Sequence, residues 1–122
     1  MFRYDEHTRR AQVVRIIDGD TLVLRIDLGF YTYIETAVRL LGVDTPEKNS
    51  RDQMERLAAH EATEWVRAWC KDYPVDVEWP LVIRTEKAGK YGRWLADIWK
   101  VGDPESLTES LLSESLGKPY PA

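Results

Sequence analysis

Three polar clusters carry the residue types that could do chemistry in this chain. The first, Asp18-Gly19-Asp20-Thr21, sets two carboxylates either side of a glycine. The second runs Arg39-Leu40-Leu41-Gly42-Val43-Asp44-Thr45-Pro46-Glu47 and holds an arginine, an Asp-Thr pair and a glutamate. Hard divalent cations such as calcium take several oxygen ligands, which two or three carboxylates and a backbone carbonyl can supply. An Asp at one strand end and an Asp-Thr-x-Glu segment near another assemble such a site if the strands are neighbours. The third cluster, Lys87-Ala88-Gly89-Lys90-Tyr91-Gly92-Arg93, is basic, glycine-rich and aromatic. That combination suits gripping a phosphate and stacking a base. Each cluster taken alone also has a plainer meaning. Asp and Gly are turn formers, and a basic glycine-rich segment is what many solvated hairpin tips look like.

The other tempting residues offer less. His7 and His60 have no second histidine at a metal-binding spacing. Trp65 and Trp69 lie four apart, as a core stripe on a helix does, and Trp79, Trp94 and Trp99 fall in strand patterns where packing is expected. Cys70, the single cysteine, cannot form an internal disulfide and reads as a core thiol.

Composition narrows the classes. The chain has 122 residues, 43% apolar and 31% charged, which suits one globular domain burying roughly 65% of its unfolded surface. Its net charge of −4 argues against gripping nucleic acid by bulk charge, so any such contact must come from a local cluster. Between Arg84 and Lys100 the basic residues Arg84, Lys87, Lys90, Arg93 and Lys100 face only Glu86 and Asp97. No apolar run exceeds three residues, which excludes a membrane-spanning helix and a secretory hydrophobic segment. A chain starting natively at Met1 is therefore expected in the cytoplasm, a secreted mature fragment being the alternative. No feature calls for a protein partner or a membrane, and a monomer is expected.

The elements that must position the clusters follow from hydrophobic period. Residues 1–10 are polar and read as a flexible N-terminal arm, with 11–122 as a single domain. Gln12–Ile17 is a β-branched run, and Leu22, Leu24, Ile26 and Leu28 alternate with polar neighbours, so two strands meet through Asp18-Gly19-Asp20. A turn near Leu28-Gly29-Phe30 leads to a third strand over Tyr33–Leu41. The period then becomes helical: Ser50 and Gln53 form a capping-box pattern, followed by Met54, Leu57, Ala58, Ala62, Trp65, Val66, Trp69 and Cys70, with Pro74 as the stop. Alternation resumes over Val75, Val77 and Trp79, breaks at Pro80 and continues in Leu81-Val82-Ile83. Thr85–Gly92 reads as a loop and Arg93–Val101 as a fifth strand. Asp103-Pro104 opens a short C-terminal helix carrying Leu107, Leu111, Leu112 and Leu116, capped by Gly117. Five short strands with a helix between the third and fourth predict a mainly β, α+β protein built on a five-stranded oligonucleotide/oligosaccharide-binding (OB-fold) barrel.

Taken together and in order, Asp-Gly-Asp-Thr, Arg-x-x-x-Val-Asp-Thr-Pro-Glu and Lys-Tyr-Gly-Arg-x-Leu-Ala resemble the thermonuclease, or staphylococcal nuclease-like, family from about Val13 to Tyr120. The resemblance implies an OB-fold barrel with helices and hydrolysis of DNA or RNA with calcium, leaving 3′-phosphate ends; the leading reading is such a nuclease acting on single strands by preference. It implies Asp20 and Asp44 as calcium carboxylates, with Thr45 giving its backbone carbonyl and Glu47 standing near the attacking water. Arg39 and Arg93 match the phosphate-binding arginines, and Lys90 and Tyr91 the pair contacting a neighbouring phosphate. Asp18 is expected to be structural, and Tyr120 falls close to a base-stacking tyrosine. Two departures bear on substrate: the link from Glu47 to the helix is short, and Lys87-Ala88-Gly89 lengthens the basic hairpin. The competing reading is a non-catalytic nucleic-acid-binding module on the same barrel.

Overall fold

Alternation in the second strand is what builds the barrel. Leu22, Leu24 and Ile26 point inward and are buried, while Val23, Arg25 and Asp27 between them are only half-covered. Each fully buried leucine contributes about 1.5–3 kcal/mol relative to an exposed one. The computed structural model describes residues 8–73, 76–88 and 93–120. Its elements in chain order are β1 (Thr8–Asp18), β2 (Thr21–Gly29), β3 (Thr32–Leu40), β4 (Val43–Asp44), α1 (Gln53–Lys71), β5 (Leu81–Ala88), β6 (Trp94–Lys100), α2 (Leu107–Ser113) and β7 (Lys118–Pro119).

Five strands close in the order β1-β2-β3-β6-β5. Every pairing is antiparallel except β3 with β6, which is parallel over Val38–Leu40 against Trp94–Ala96. The protein is therefore a mainly β, α+β molecule on an OB-fold barrel, with α1 between the third and fourth barrel strands. The core joins Leu22, Leu24, Val38, Leu40, Leu81, Ile83 and Ile98 from the strands to Val66, Trp69 and Cys70 of α1 and to Leu107 and Leu111 of α2. Among the described residues no helix is long and apolar enough to cross a membrane.

Several local expectations change. Thr8–Arg10 belong to β1, where they pair with Arg84, Ile83 and Val82 of β5, so those residues of the expected arm are barrel. Asp52, not Ser50, caps α1: its side chain accepts from Met54 N–H, while the Ser50 hydroxyl accepts from Asp52 N–H. Ala59, Ala62, Val66, Trp69 and Cys70 are the buried stripe of α1, and its first two turns leave Met54 and Leu57 in solvent. Asp76–Pro80 is not strand, and β5 runs on through Thr85, which the sequence had placed in a loop. Ser106 caps α2 in a reciprocal capping box with Glu109, while Asp103 closes a turn onto Glu105 N–H. Gly117 lies beyond the end of α2 and is not its cap. A Cβ there would stand 2.6 Å from Val43 Cγ2 and 3.2 Å from the Asp44 carbonyl oxygen. Glycine is what lets the chain after α2 cross over β4 and form the β4–β7 pair, which the sequence did not announce.

Candidate active site at the barrel mouth

Strand register brings the first two clusters together. Thr21 pairs with Arg39 across β2 and β3, and Leu40 N–H donates to the Asp20 carbonyl at 2.8 Å. The tight β1–β2 turn therefore sits beside the end of β3. Gly42, with φ of +81°, then turns the chain into β4. Gly19 allows the close approach that follows, because a Cβ there would meet the Thr45 side chain at 2.9 Å. Thr45, itself buried, donates its backbone N–H to Asp20 Oδ2 at 3.0 Å.

Arg39 is the hub. Its Nη2 lies 3.5 Å from Asp20 Oδ2 and 3.2 Å from Asp44 Oδ1, so one guanidinium nitrogen gathers both carboxylates. Nη1 donates to the carbonyl oxygens of Leu40 and Val43. The guanidinium also lies over the Tyr120 ring, 4.8 Å from its centroid, in a cation–π contact. Tyr120 is held there by its N–H, which donates to the Gly42 carbonyl at 3.1 Å, and by the β4–β7 pair just before it.

Arg93 immediately precedes β6, whose parallel register with β3 places it at the same mouth. Its Nη1 donates to Thr21 Oγ1 at 3.4 Å, and that hydroxyl donates to Asp20 Oδ1 at 3.2 Å. Glu47 is exposed and opens into a cleft of about 510 Å³ shared with Asp44, Thr45, Glu55 and Lys118. Six of the residues singled out in the sequence (Asp20, Arg39, Asp44, Thr45, Arg93 and Tyr120) thus form one contiguous network, with Glu47 in the adjoining cleft. Lys90 and Tyr91 lie outside the described residues.

The electrostatics of the turn are those of a carboxylate pair. Burial pushes the Asp18 carboxyl up to about 6, aided by its hydrogen bond to Asp20 and by the Asp20 charge. Asp20 moves the other way. Burial opposes its ionisation, but hydrogen bonds from Asp18 and the Thr45 N–H, with the Arg39 charge, hold it below the usual carboxylate range. Of the pair, Asp18 is the carboxyl that takes up a proton as pH falls through about 6, and Asp20 is an anionic oxygen donor at neutral pH. Asp18 also anchors the turn, its Oδ1 accepting the Asp20 N–H at 3.1 Å.

Two charged residues of the cleft were not singled out in the sequence. Glu55 enters because only a short link separates Glu47 from α1, so the first turn of the helix borders the cleft. Lys118 enters through β7. The short link was a visible signal for Glu55; nothing in the local sequence marks Lys118.

Comparison with known proteins bears on the family. The family model described as staphylococcal nuclease homologue matches residues 37–120, which takes in Arg39, Asp44, Thr45, Glu47 and Arg93 but begins after the Asp18–Thr21 turn. The thermonuclease of Staphylococcus hyicus is 28% identical over 107 residues, covering 88% of this chain and 57% of that protein. The thermonuclease of Staphylococcus intermedius is 32% identical over 106 residues, covering 87% of this chain and 56% of that protein. The chain spans a little over half the length of these curated relatives. With a family model matching more than half of the chain and a five-stranded barrel that fits it, this protein belongs to the staphylococcal nuclease homologue family.

Proposed function

We propose that the chain is a calcium-dependent nuclease that hydrolyses phosphodiester bonds of DNA, RNA or both and leaves 3′-phosphate ends. The observation that carries this reading is the convergence of Asp20 and Asp44 on one cation, the Arg39 guanidinium, beside a cleft that contains Glu47. The donor set suits calcium, since Asp20, Asp44 and the Thr45 carbonyl are all oxygen ligands. Among the described residues no group of three or more His, Cys, Asp and Glu side chains stands together as a metal cage. The remaining positions would fall to water, which an ion taking roughly six to eight oxygens accommodates. When bound, calcium supplies Lewis acidity toward a non-bridging phosphate oxygen.

The chain's own residues supply the rest. The planar fork of Arg39, which here neutralises both aspartates, also matches the paired oxygens of a phosphate as negative charge accumulates. Arg93 spends one of its five N–H donors on a long hydrogen bond to Thr21, and its planar fork suits the same group. Glu47 in the open cleft takes the proton from the attacking water, which must come within hydrogen-bond reach. Tyr120 gives one ring face to Arg39 and, being half-exposed, keeps the other for a base. Lys90 and Tyr91 are assigned to a neighbouring phosphate. Stacking on these tyrosines requires an unpaired base, so single strands are the preferred substrate.

Glu47→Gln tests the assignment. The variant retains size and one acceptor but loses the proton-accepting carboxylate, so single-turnover cleavage should fall by about two or more powers of ten. Binding of an uncleavable strand should persist or tighten slightly, because a repelling charge has gone. Full cleavage by the folded variant would remove Glu47 from the mechanism. A wild-type protein that binds strands with calcium but never cuts them would favour the binding-module reading.

A further inference from the structure

At the far end of β2 and β3 from the polar mouth, the hairpin breaks three rules that folding alone would respect. Its turn residues, Phe30 and Tyr31, are fully exposed. They follow Gly29 at φ of +86° and themselves adopt φ of +55° and +58°, the left-handed region where bulky side chains are rare and Asn-Gly would be at ease. The third feature, among the described residues, is a strand edge that no other strand pairs. β3 pairs with β2 along its whole length, but with β6 only from Val38 to Leu40. Among the described residues, no strand covers the other side of Thr32–Ala37.

That edge lacks the usual protection. Thr32-Tyr33-Ile34-Glu35-Thr36 has no lysine and no proline, and its one charge is already paired, Glu35 with Arg25 at 2.5 Å. The nearby bulge falls at Leu28, on the other strand. Apolar surface continues beside it: Leu28, Ile34 and Trp94 are each 43% exposed and line a common cleft of about 170 Å³.

We propose that this hairpin is a self-association arm, two copies of the chain joining through the open edges of β3 in an antiparallel pair centred on Ile34. The choice of a second copy rests on charge and register. Centred on Ile34, the pairing uses the whole stretch from Thr32 to Thr36, sets Thr32 against Thr36 and Tyr33 against Glu35, and opposes no two carboxylates. Continued one step further, it carries the tip of each hairpin toward Val38 of the other copy. There the edge is occupied by Trp94 of β6, so Phe30 and Tyr31 arrive at the exposed Trp94 and its apolar cleft. The symmetric contact gives the two aromatic side chains a destination that one copy cannot provide. A nucleic-acid strand fits this end poorly, because Asp27 and Glu78 border the cleft beside Phe30 and Tyr31. Four tip aromatics, each burying roughly 150–250 Å², together with two strand edges reach the lower range of specific interfaces, so a micromolar dimer is expected.

The experiment is sedimentation velocity on the full chain from low micromolar to several hundred micromolar, with thermal unfolding followed in parallel. Wild type should pass from monomer to dimer across that range. Ile34→Lys, which opposes two ammonium groups at the two-fold axis, should raise the dissociation constant at least tenfold. Phe30→Asn combined with Tyr31→Gly suits the turn, so it should raise the melting temperature while weakening the dimer by a similar factor. This second variant separates lost association from lost folding. A wild type that stays monomeric throughout overturns the proposal, as does a dimer indifferent to both variants. A monomer whose affinity for single-stranded oligonucleotide falls in the double variant would instead make the tip a nucleic-acid platform, and would equally overturn it.

Discussion

Replacing Arg39 by methionine removes the charge that holds the polar mouth together while leaving a side chain of similar reach. In the wild type the guanidinium is 17% exposed and stands between Asp20, 10% exposed, and Asp44, 31% exposed. Removing one partner of a fully buried ion pair costs about 3–5 kcal/mol. The cost here should be smaller, because Asp20 keeps hydrogen bonds from the Thr45 N–H and the Thr21 hydroxyl, and Asp44 can turn to water. About 2–3 kcal/mol is expected, including the lost cation–π contact with Tyr120. For a chain of this size that lowers the melting temperature by roughly 6–12 °C in the presence of a chelator. Calcium should then do more for the variant than for the wild type, since the two carboxylates no longer have a resident cation to satisfy them. A ligand at a hundred times its dissociation constant stabilises by about 2.7 kcal/mol, enough to restore most of the loss. Scanning calorimetry with chelator and with excess calcium reads both effects. An unchanged melting temperature in chelator would show that the Arg39 ion pairs do not hold the mouth. Absence of a calcium shift in both proteins would show that Asp20 and Asp44 are not a cation site.

Two other outcomes probe the supports of the site. Gly117→Ala drives a methyl group to within 2.6 Å of Val43 Cγ2, so it should destabilise by about 1–3 kcal/mol in denaturant titration and weaken any activity that depends on Tyr120 over Arg39. Asp18→Asn mimics the protonated acid, and its effect should depend on pH with a defined sign. The native Asp18 pKa of about 6 lies above its unfolded value of 3.8, so its contribution is fully present below 3.8 and is lost as pH rises through 6. The variant should match wild type near pH 3.5 and exceed it by about 1 kcal/mol at pH 8, the full shift being discounted for the partial exposure of this carboxyl. Equal pH dependence of the two proteins would contradict the proton assignment.

Much of the barrel was legible because β2 and its neighbours have a buried inner face, and a period of two states that face directly. The short β1–β2 turn and the antiparallel β3 then bring Asp20 beside Arg39, as a site built on neighbouring strand ends requires. The period of two failed where alternation continued past closure: Leu28 extends the apolar pattern of β2 but lies on the protruding hairpin. The caps were misread for a local reason. Ser50 and Asp103 are both good acceptors, yet each spends its side chain closing a turn onto the N–H two residues on, and the next suitable residue, Asp52 or Ser106, caps the helix. The β4–β7 pair depends on Gly117 meeting Val43 across more than seventy positions of chain, a contact no local pattern encodes. Tyr120 was picked out by resemblance as a stacking residue, whereas its contact with Arg39 follows from that long-range pair.

The central claim is that this barrel mouth cuts phosphodiester bonds with calcium, and the most direct measurement is cleavage itself. Single-stranded DNA and RNA of defined sequence, labelled at the 5′ end, are incubated with the full chain in calcium, in magnesium and in chelator, and the products are resolved and tested for a 3′-phosphate. The account predicts cleavage in calcium, much less in magnesium, which demands near-octahedral geometry and holds its water tightly, none in chelator, and products that become extendable by a polymerase only after phosphatase treatment. Intact strands in calcium, or cleavage that proceeds equally in chelator, would contradict it.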